Sequence, residues 1–112
     1  MCGIFAYISE TPINYQLLQA INIEGMKCKS RGPDNTVTRK ISENTFLMFH
    51  RLKINDMSDS GNQPIAHPDD YNLTLICNGE IYNHKKLISE NNFNTKSSSD
   101  CEVILHMYKK YG

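Results

Sequence analysis

Residues 1–10, MCGIFAYISE, decide how the fold begins. Residues 2–8, CGIFAYI, form a short apolar run rich in β-branched and aromatic side chains, which predicts a β-strand. Because both faces of this strand carry apolar side chains, we expect other layers to cover it on both sides. One face holds Ile4, Ala6 and Ile8, and the other holds Phe5 and Tyr7.

The rest of the chain predicts a mixture of helices and strands. A helix over 13–28 ends at the glycine and proline of SRGPD, and Asn83 begins a short helix that reaches about Glu90. A hairpin joins the strands 36–41 and 46–52, residues 73–79 form a buried strand, and loops are expected at 53–72 and 91–98.

The last predicted helix has the clearest start. Ser99 and Glu102 form the pattern S-x-x-E, a capping box, directly before an apolar run. Apolar residues then recur at helical spacing through Tyr111. Helices beside strands covered on both faces predict four layers (α, β, β, α), and the pattern also allows a simpler two-layer α+β fold.

Composition and charge exclude several classes of function. The 112 residues suffice for one small domain, and 12 basic residues balance 12 acidic ones. We therefore expect no nucleic-acid partner and no membrane-surface partner. No apolar run approaches the roughly 20 residues of a membrane span, and no signal segment opens the chain, so a cytoplasmic location is expected.

The four cysteines and four histidines predict no metal site. Their spacing matches neither a zinc ribbon nor a CxxC redox pair. An even number of cysteines allows two disulfides, but without a secretory signal we expect reduced thiols.

Cys2 stands directly behind Met1, and two readings of it are open. It is either a small buried residue at a strand start or, after removal of Met1, the first residue of the mature chain. In the second case an α-amine with a pKa of about 7.7–8.0 and a thiol with a pKa of about 8.5 share one residue. Such a pair can act as base and nucleophile near neutral pH.

Five motifs stand in a familiar order. They are RGPD (31–34), HRL (50–52), NQP (62–64), NGEIYNH (78–84) and SSDCEVIL (98–105). Together with the cysteine at the start, they resemble the class II glutamine amidotransferases, and most closely the N-terminal glutaminase domain of glutamine-dependent asparagine synthetases. The resemblance covers essentially the whole chain and implies an α+β fold, the four-layer αββα sandwich of the Ntn hydrolases.

The resemblance also implies a glutamine amidotransferase activity with L-glutamine as substrate. Cys2 would be the nucleophile and its α-amine the proton carrier. The side chain of Asn78 and the main-chain N–H of Gly79 would hold the oxyanion, a role that suits a neutral donor and an unobstructed backbone. Taken alone, Asn-Gly is more typical of a tight turn.

Further residues of the glutamine site follow from the same resemblance. Arg51 would bind the α-carboxylate through its guanidinium fork, and Asp100 the α-ammonium, although an aspartate at a helix start also suits the helix dipole. Strand alternation places Arg51 on the same face as Leu47 and Phe49, an unusual position for a solvated charge. Ile54 and Glu80 match positions that line the pocket, while Arg31 and Asp34 of RGPD are expected to order a loop over it.

The family's glutaminase domain extends well beyond this length and is followed by a synthetase domain. We therefore expect 1–112 to be the N-terminal part of the amidotransferase domain, with a sandwich incomplete at its C-terminal end and no synthetase domain. The chain has no Gly-rich phosphate loop, so ATP and Mg²⁺ are expected only in a separate synthetase domain or chain, which is a possible partner. The alternative is a non-catalytic domain that binds glutamine or a synthetase partner.

Overall fold

The computed structural model describes residues 1–53 and 59–112. The chain divides into two compact units, Met1–Lys53 and Ile54–Gly112. The first holds strands β1 (Gly3–Ile8), β2 (Asn35–Lys40) and β3 (Thr45–Arg51), helix α1 (Tyr15–Met26) and a short 3-10 helix (Lys29–Arg31). The second holds a 3-10 helix (Asp59–Gly61), strands β4 (Ile65–His67) and β5 (Asp70–Leu75), and helices α2 (His84–Asn91) and α3 (Glu102–Tyr111).

The first unit is a three-stranded antiparallel sheet with β3 in the centre. Gly3 of β1 lies opposite His50, and Asn35 of β2 lies opposite Arg51. The predicted strand 2–8 and the predicted hairpin are both confirmed. Because β3 is paired on both sides, its C-terminal end is the best-fixed part of this sheet.

Helix α1 covers one face of the sheet. It begins where the Asn14 side chain accepts a hydrogen bond from the main-chain N–H of Leu17, and it ends at Met26, close to the predicted boundary. Gly25 faces the sheet, and a Cβ there would lie 2.8 Å from the side chain of Met48, so glycine lets the helix pack closely. The buried cluster under the helix contains Ile13, Ile21, Phe46 and Met48.

The prediction that β1 is covered on both faces is wrong. Phe5 and Tyr7 pack against the cluster under α1. On the opposite face of the strand, Ile4 is 43% exposed and Ile8 is 75% exposed. The short apolar run identified the strand correctly, but a side chain's polarity does not specify which neighbour covers it.

In the second unit, β4 and β5 form a two-stranded antiparallel sheet with an irregularity between Ala66 and His67. Helix α3 packs on this sheet and also contacts α2. Its buried side chains are Glu102, Val103, Leu105 and His106. Among the described residues, no helix is both long enough and apolar enough to cross a membrane.

Two predictions for this unit need correction in the described part of the chain. Residues 53–72 are not one loop, since they include β4 and the start of β5. The strand predicted over 73–79 lies at Asp70–Leu75, is only partly buried, and leaves 76–79 outside regular structure. The reason is the pairing with β4, a three-residue strand whose local sequence gives almost no periodic signal.

The capping box is also wrong, although the helix after it is confirmed. The α3 N-cap is Cys101, with no side-chain cap bond. The Glu102 carboxylate instead accepts hydrogen bonds from the main-chain N–H groups of Lys96 and Ser97 and from the Ser97 hydroxyl. Ser99 accepts a bond from the Cys101 N–H at 3.3 Å. The short helix predicted from Asn83 is α2, which likewise begins without a side-chain cap.

Candidate active site

Cys2 lies at the edge of the first unit, beside the end of β3. Its Sγ accepts a hydrogen bond from the main-chain N–H of Leu52 at 3.3 Å, and the thiol donates to the Leu52 carbonyl at 3.8 Å. The residue is partly exposed, so its sulfur is both held and accessible.

The RGPD loop (31–34) is hydrogen-bonded to the main chain of Cys2 and to the residues that flank Leu52. Arg31 Nε donates to the main-chain oxygen of Cys2 at 3.3 Å. Asp34 donates its own N–H to the carbonyl of Arg51 at 3.0 Å, and its carboxylate accepts from the N–H of Lys53 at 2.7 Å. The predicted ordering role of Arg31 and Asp34 therefore has a structural basis within the first unit.

Gly32 allows that loop to lie against β3. A Cβ at this position would lie only 2.0 Å from the carbonyl oxygen of His50, which no side chain tolerates. His50 itself is fully buried. Its Nδ1 bonds with the Thr36 hydroxyl, and its Nε2 lies 2.9 Å from the Gly25 carbonyl. Because a carbonyl only accepts, Nε2 carries the proton and Nδ1 accepts from the hydroxyl.

Arg51 ends β3 and is 5% exposed, in agreement with its predicted inward position. Leu47 and Phe49, on the same face of the strand, are also buried. Extending the pairing of β1 and β3 by one residue beyond Gly3 and His50 places Cys2 opposite Arg51. The first unit therefore brings the predicted nucleophile and the predicted carboxylate ligand to the same end of one strand pair.

The second unit holds the other predicted residues in the loop after β5 and at the start of α3. Asn78 is partly buried, and Gly79 and Glu80 are exposed. The N–H of Cys77 donates to the side-chain oxygen of the buried Gln63 at 2.5 Å.

Two residues at the start of α3 hold the far side of this loop. The Asp100 carboxylate accepts from the N–H of Ile81 at 2.5 Å. The Cys101 thiol donates to the carbonyl of Gly79 at 3.5 Å. Hydrogen bonds at Cys77, Gly79 and Ile81 therefore hold the NGEI segment (78–81) along its length. Asp100 was predicted to bind an ammonium group, and one N–H bond leaves a carboxylate further capacity to accept.

Gly79 differs from Gly32 because nothing in the described structure demands a glycine there. A Cβ on Gly79 would meet only the Sγ of Cys77, at an ordinary 3.9 Å. The fold thus accommodates a side chain at Gly79, and the residue is exposed. This arrangement suits a donor that must approach a ligand closely.

The predicted site residues fall into two groups, which belong to different units. Cys2 and Arg51 lie together in the first, whereas Asn78, Gly79, Glu80 and Asp100 lie together in the second. Ile54 lies outside the described residues. No role was predicted for Gln63 or for the backbone of Leu52. Only the membership of Gln63 in NQP and of Leu52 in HRL pointed to them.

A cavity of about 360 Å³ in the second unit contains none of the predicted site residues. Its lining includes His67 and His106, whose ring centres are 4.5 Å apart, and Phe93, which stacks on His106. Burial and the neighbouring His106 lower the pKa of His67. Among the residues that the structure describes, no group of three or more His, Cys, Asp or Glu side chains is arranged to hold a metal ion.

Comparison with known proteins gives a consistent result. The family model described as a glutamine amidotransferase domain matches residues 1–112. The chain is 40% identical to a probable glutamine-hydrolyzing asparagine synthetase of Schizosaccharomyces pombe and 36% identical to one of Acanthamoeba polyphaga mimivirus. It is 39% identical to the glutamine-hydrolyzing asparagine synthetase of Homo sapiens. Each match covers 100% of this chain but only 19–20% of the relative's length.

Proposed function

Because this chain belongs to the glutamine amidotransferase domain family, we propose that it hydrolyses L-glutamine to glutamate and ammonia with Cys2 as the nucleophile. The observation that carries the proposal is the position of the Cys2 sulfur, which is hydrogen-bonded at the end of the strand that carries the buried Arg51. Removal of Met1 is part of the proposal, since it frees the α-amine of Cys2.

The reaction has two steps. The Cys2 α-amine takes the thiol proton, and Sγ attacks the side-chain carboxamide carbon of glutamine. The proton passes to the leaving nitrogen, the carbon–nitrogen bond breaks, and ammonia departs from a thioester on Cys2. Water then attacks the thioester, which releases glutamate and restores the thiol. The N–H of Leu52 supports the first step because its hydrogen bond holds Sγ in position at the end of β3.

Binding and oxyanion roles are assigned to the remaining residues. Arg51 binds the α-carboxylate of glutamine through its planar fork, and Asp100 binds the α-ammonium. Asn78 and the N–H of Gly79 stabilise the oxyanion, and the loss of one such donor typically costs about 2.7–4 kcal/mol of transition-state stabilisation. Glu80 and Ile54 complete the lining of the pocket. Support for the Gly79 role comes from the ties that Gln63 and Cys101 make to its loop.

The wider setting is proposed by analogy with the relatives. The ammonia serves ATP-dependent asparagine synthesis in a synthetase domain or chain, and ATP and Mg²⁺ belong there rather than to residues 1–112. We further propose that the domain adopts the four-layer αββα arrangement of the Ntn hydrolases. We also propose that the protein is located in the cytoplasm. The antiparallel sheet with packed helix in each unit supports this layering.

The test is labelling with 6-diazo-5-oxo-L-norleucine, an electrophile shaped like glutamine. We expect one adduct, on Cys2 of a chain whose N-terminal mass shows loss of Met1, and glutaminase activity that Cys2→Ala abolishes. Cys28→Ser is the matched control and should retain both the adduct and the activity. A folded chain that keeps Met1, or that forms no adduct on Cys2, would favour the alternative function, a non-catalytic domain that binds glutamine or a synthetase partner.

A further inference from the structure

Cys77 and Cys101 are both next to the loop that carries Asn78 and Gly79. Cys77 is joined directly to Asn78, and Cys101 follows Asp100 at the start of α3. Cys77 is partly exposed, whereas Cys101 is 2% exposed. Both thiols are free in this structure.

The two sulfurs converge on Gly79. The Cys101 thiol donates to the Gly79 carbonyl at 3.5 Å. The Sγ of Cys77 is also close to Gly79, since it lies 3.9 Å from the position that a Cβ on this residue would take. Burial, together with the hydrogen bond and charge of the neighbouring Cys77 thiol, raises the pKa of Cys101 to about 12.

We propose that Cys77 and Cys101 are an oxidative modification site, at which a reversible disulfide regulates the Asn78–Gly79 loop. This regulation rests on the function proposed above, because it acts through the proposed oxyanion donors. The disulfide itself does not depend on that function.

The chemistry needs an external oxidant, a low-molecular-weight disulfide such as oxidised glutathione. Cys77 is partly exposed, so its thiolate attacks one sulfur of the reagent and releases one glutathione thiol. The Cys101 thiolate then attacks Cys77 in the mixed disulfide and releases the second thiol. In total two protein thiols become one disulfide, and the reagent is reduced to two thiols. The high pKa of Cys101 makes the second step the slow one.

Oxidation would remove a contact that holds the loop. The Cys101 thiol donates a hydrogen bond to the Gly79 carbonyl, whereas a disulfide sulfur has no hydrogen to donate. The new bond would also draw residue 77 towards α3, and residue 77 is one peptide bond from Asn78. Because small displacements of catalytic groups reduce rates strongly, we expect at least a tenfold loss of glutamine turnover.

The first part of the experiment maps the disulfide in the full chain. Trypsin places the four cysteines on separate peptides: Cys2 on the one that ends at Lys27, Cys28 on 28–29, Cys77 on 54–85 and Cys101 on 97–109. After incubation with oxidised glutathione at pH 8.5, we expect peptides 54–85 and 97–109 to be linked, and dithiothreitol to separate them. Cys77 found only as a glutathione adduct, or both thiols still free, would overturn the proposal.

The second part measures glutaminase activity. Each value is divided by the fraction of chains whose Cys2, on the peptide that ends at Lys27, is unmodified, so that oxidation of Cys2 itself does not count as regulation. The oxidised wild type and Cys28→Ser should lose activity that dithiothreitol restores. Cys77→Ser should be as active after incubation with oxidised glutathione as before it. Cys101→Ala lacks the hydrogen bond to Gly79 already in the reduced state, so its activity should start lower and show no further loss on incubation. Using two variants keeps the test valid if one of them misfolds. A linked chain with full activity would overturn the regulatory role. An inactive reduced chain would instead contradict the proposed function, while the peptide map still decides on the disulfide.

Discussion

The side-chain oxygen of Gln63 accepts a hydrogen bond from the main-chain N–H of Cys77, the residue before Asn78. Gln63 is 6% exposed, so the acceptor of this bond is buried, whereas Cys77 is partly exposed. The residue precedes β4, and its partner follows β5. A small antiparallel sheet thereby sets the start of the loop that carries the proposed oxyanion donors.

Replacing Gln63 with Leu should therefore lower kcat for glutamine hydrolysis by about tenfold to a hundredfold. The Cys77 N–H would lose its acceptor, and an unsatisfied buried donor costs about 1–3 kcal/mol. Gln63→Glu keeps an acceptor oxygen and is expected to retain most of the activity. Hydrogen exchange at the Cys77 amide is the second readout, and it should become faster in Gln63→Leu. Equal exchange in the wild type and Gln63→Leu would contradict the proposed positioning role.

The two glycines Gly79 and Gly32 should respond oppositely to alanine. Gly79→Ala introduces only an ordinary contact with Cys77, so the melting temperature should change little. Its new methyl group lies beside the proposed oxyanion donor, so turnover should fall by tenfold or more. In Gly32→Ala the Cβ would lie 2.0 Å from the oxygen of His50, and strong destabilisation is expected. Thermal melts and steady-state kinetics of both variants decide between these outcomes. Similar melting of the two variants would refute the distinction.

Arg51→Lys should raise KM for glutamine by about tenfold to a hundredfold and change kcat less. Lysine retains the charge but not the planar fork that binds a carboxylate through two parallel bonds. Arg39→Lys is the matched control, since Arg39 lies exposed on the neighbouring strand β2. Competitive inhibition by glutamate should weaken in parallel with KM, because glutamate carries the same α-carboxylate. A loss confined to kcat would exclude the proposed role.

The sequence predicted the elements whose signals are local. A short apolar run located β1, and the turn residues SENT (42–45) between the two predicted strands located the hairpin of β2 and β3. It missed β4, because three residues cannot show a period and pairing with β5 is a tertiary event. The capping box predicted for Glu102 was wrong, because its carboxylate accepts hydrogen bonds from the main-chain N–H groups of Lys96 and Ser97 and not from Ser99.

The candidate site was predicted through motifs rather than through periodicity. Alternation alone indicated that Arg51 points inward, and the structure confirms its burial. The contacts of Leu52 and Gln63 were not predictable in this way. They depend on a backbone N–H near Cys2 and on a side chain that crosses to Cys77, and both are set by packing between segments distant in sequence.

Glu102 leads to a prediction about acid stability. The carboxylate is 1% exposed, and burial alone would raise its pKa. Hydrogen bonds from the Ser97 hydroxyl and from the main-chain N–H groups of Lys96 and Ser97 outweigh burial, together with a smaller contribution from the His106 ring at 3.5 Å, and lower the pKa below its ordinary 4.5. A carboxyl whose pKa is lowered by folding stabilises the native state above its unfolded pKa. That stability is lost as the pH falls through the folded pKa.

Glu102→Gln should therefore reduce the free energy of unfolding at pH 7 by about 1–3 kcal/mol, since hydrogen bonds to a charged acceptor are lost. The difference between wild type and variant should shrink as the pH falls below 4.5. Glu90→Gln is the control, because Glu90 is exposed and its ion pair with Lys86 spans 3.8 Å, so a change within about 0.5 kcal/mol is expected. His67, whose lowered pKa makes stability fall below pH 6.5, is present in all three proteins. Urea titrations at several pH values measure the effect. A difference that stays constant down to pH 3 would show that Glu102 contributes through packing and not through its charge.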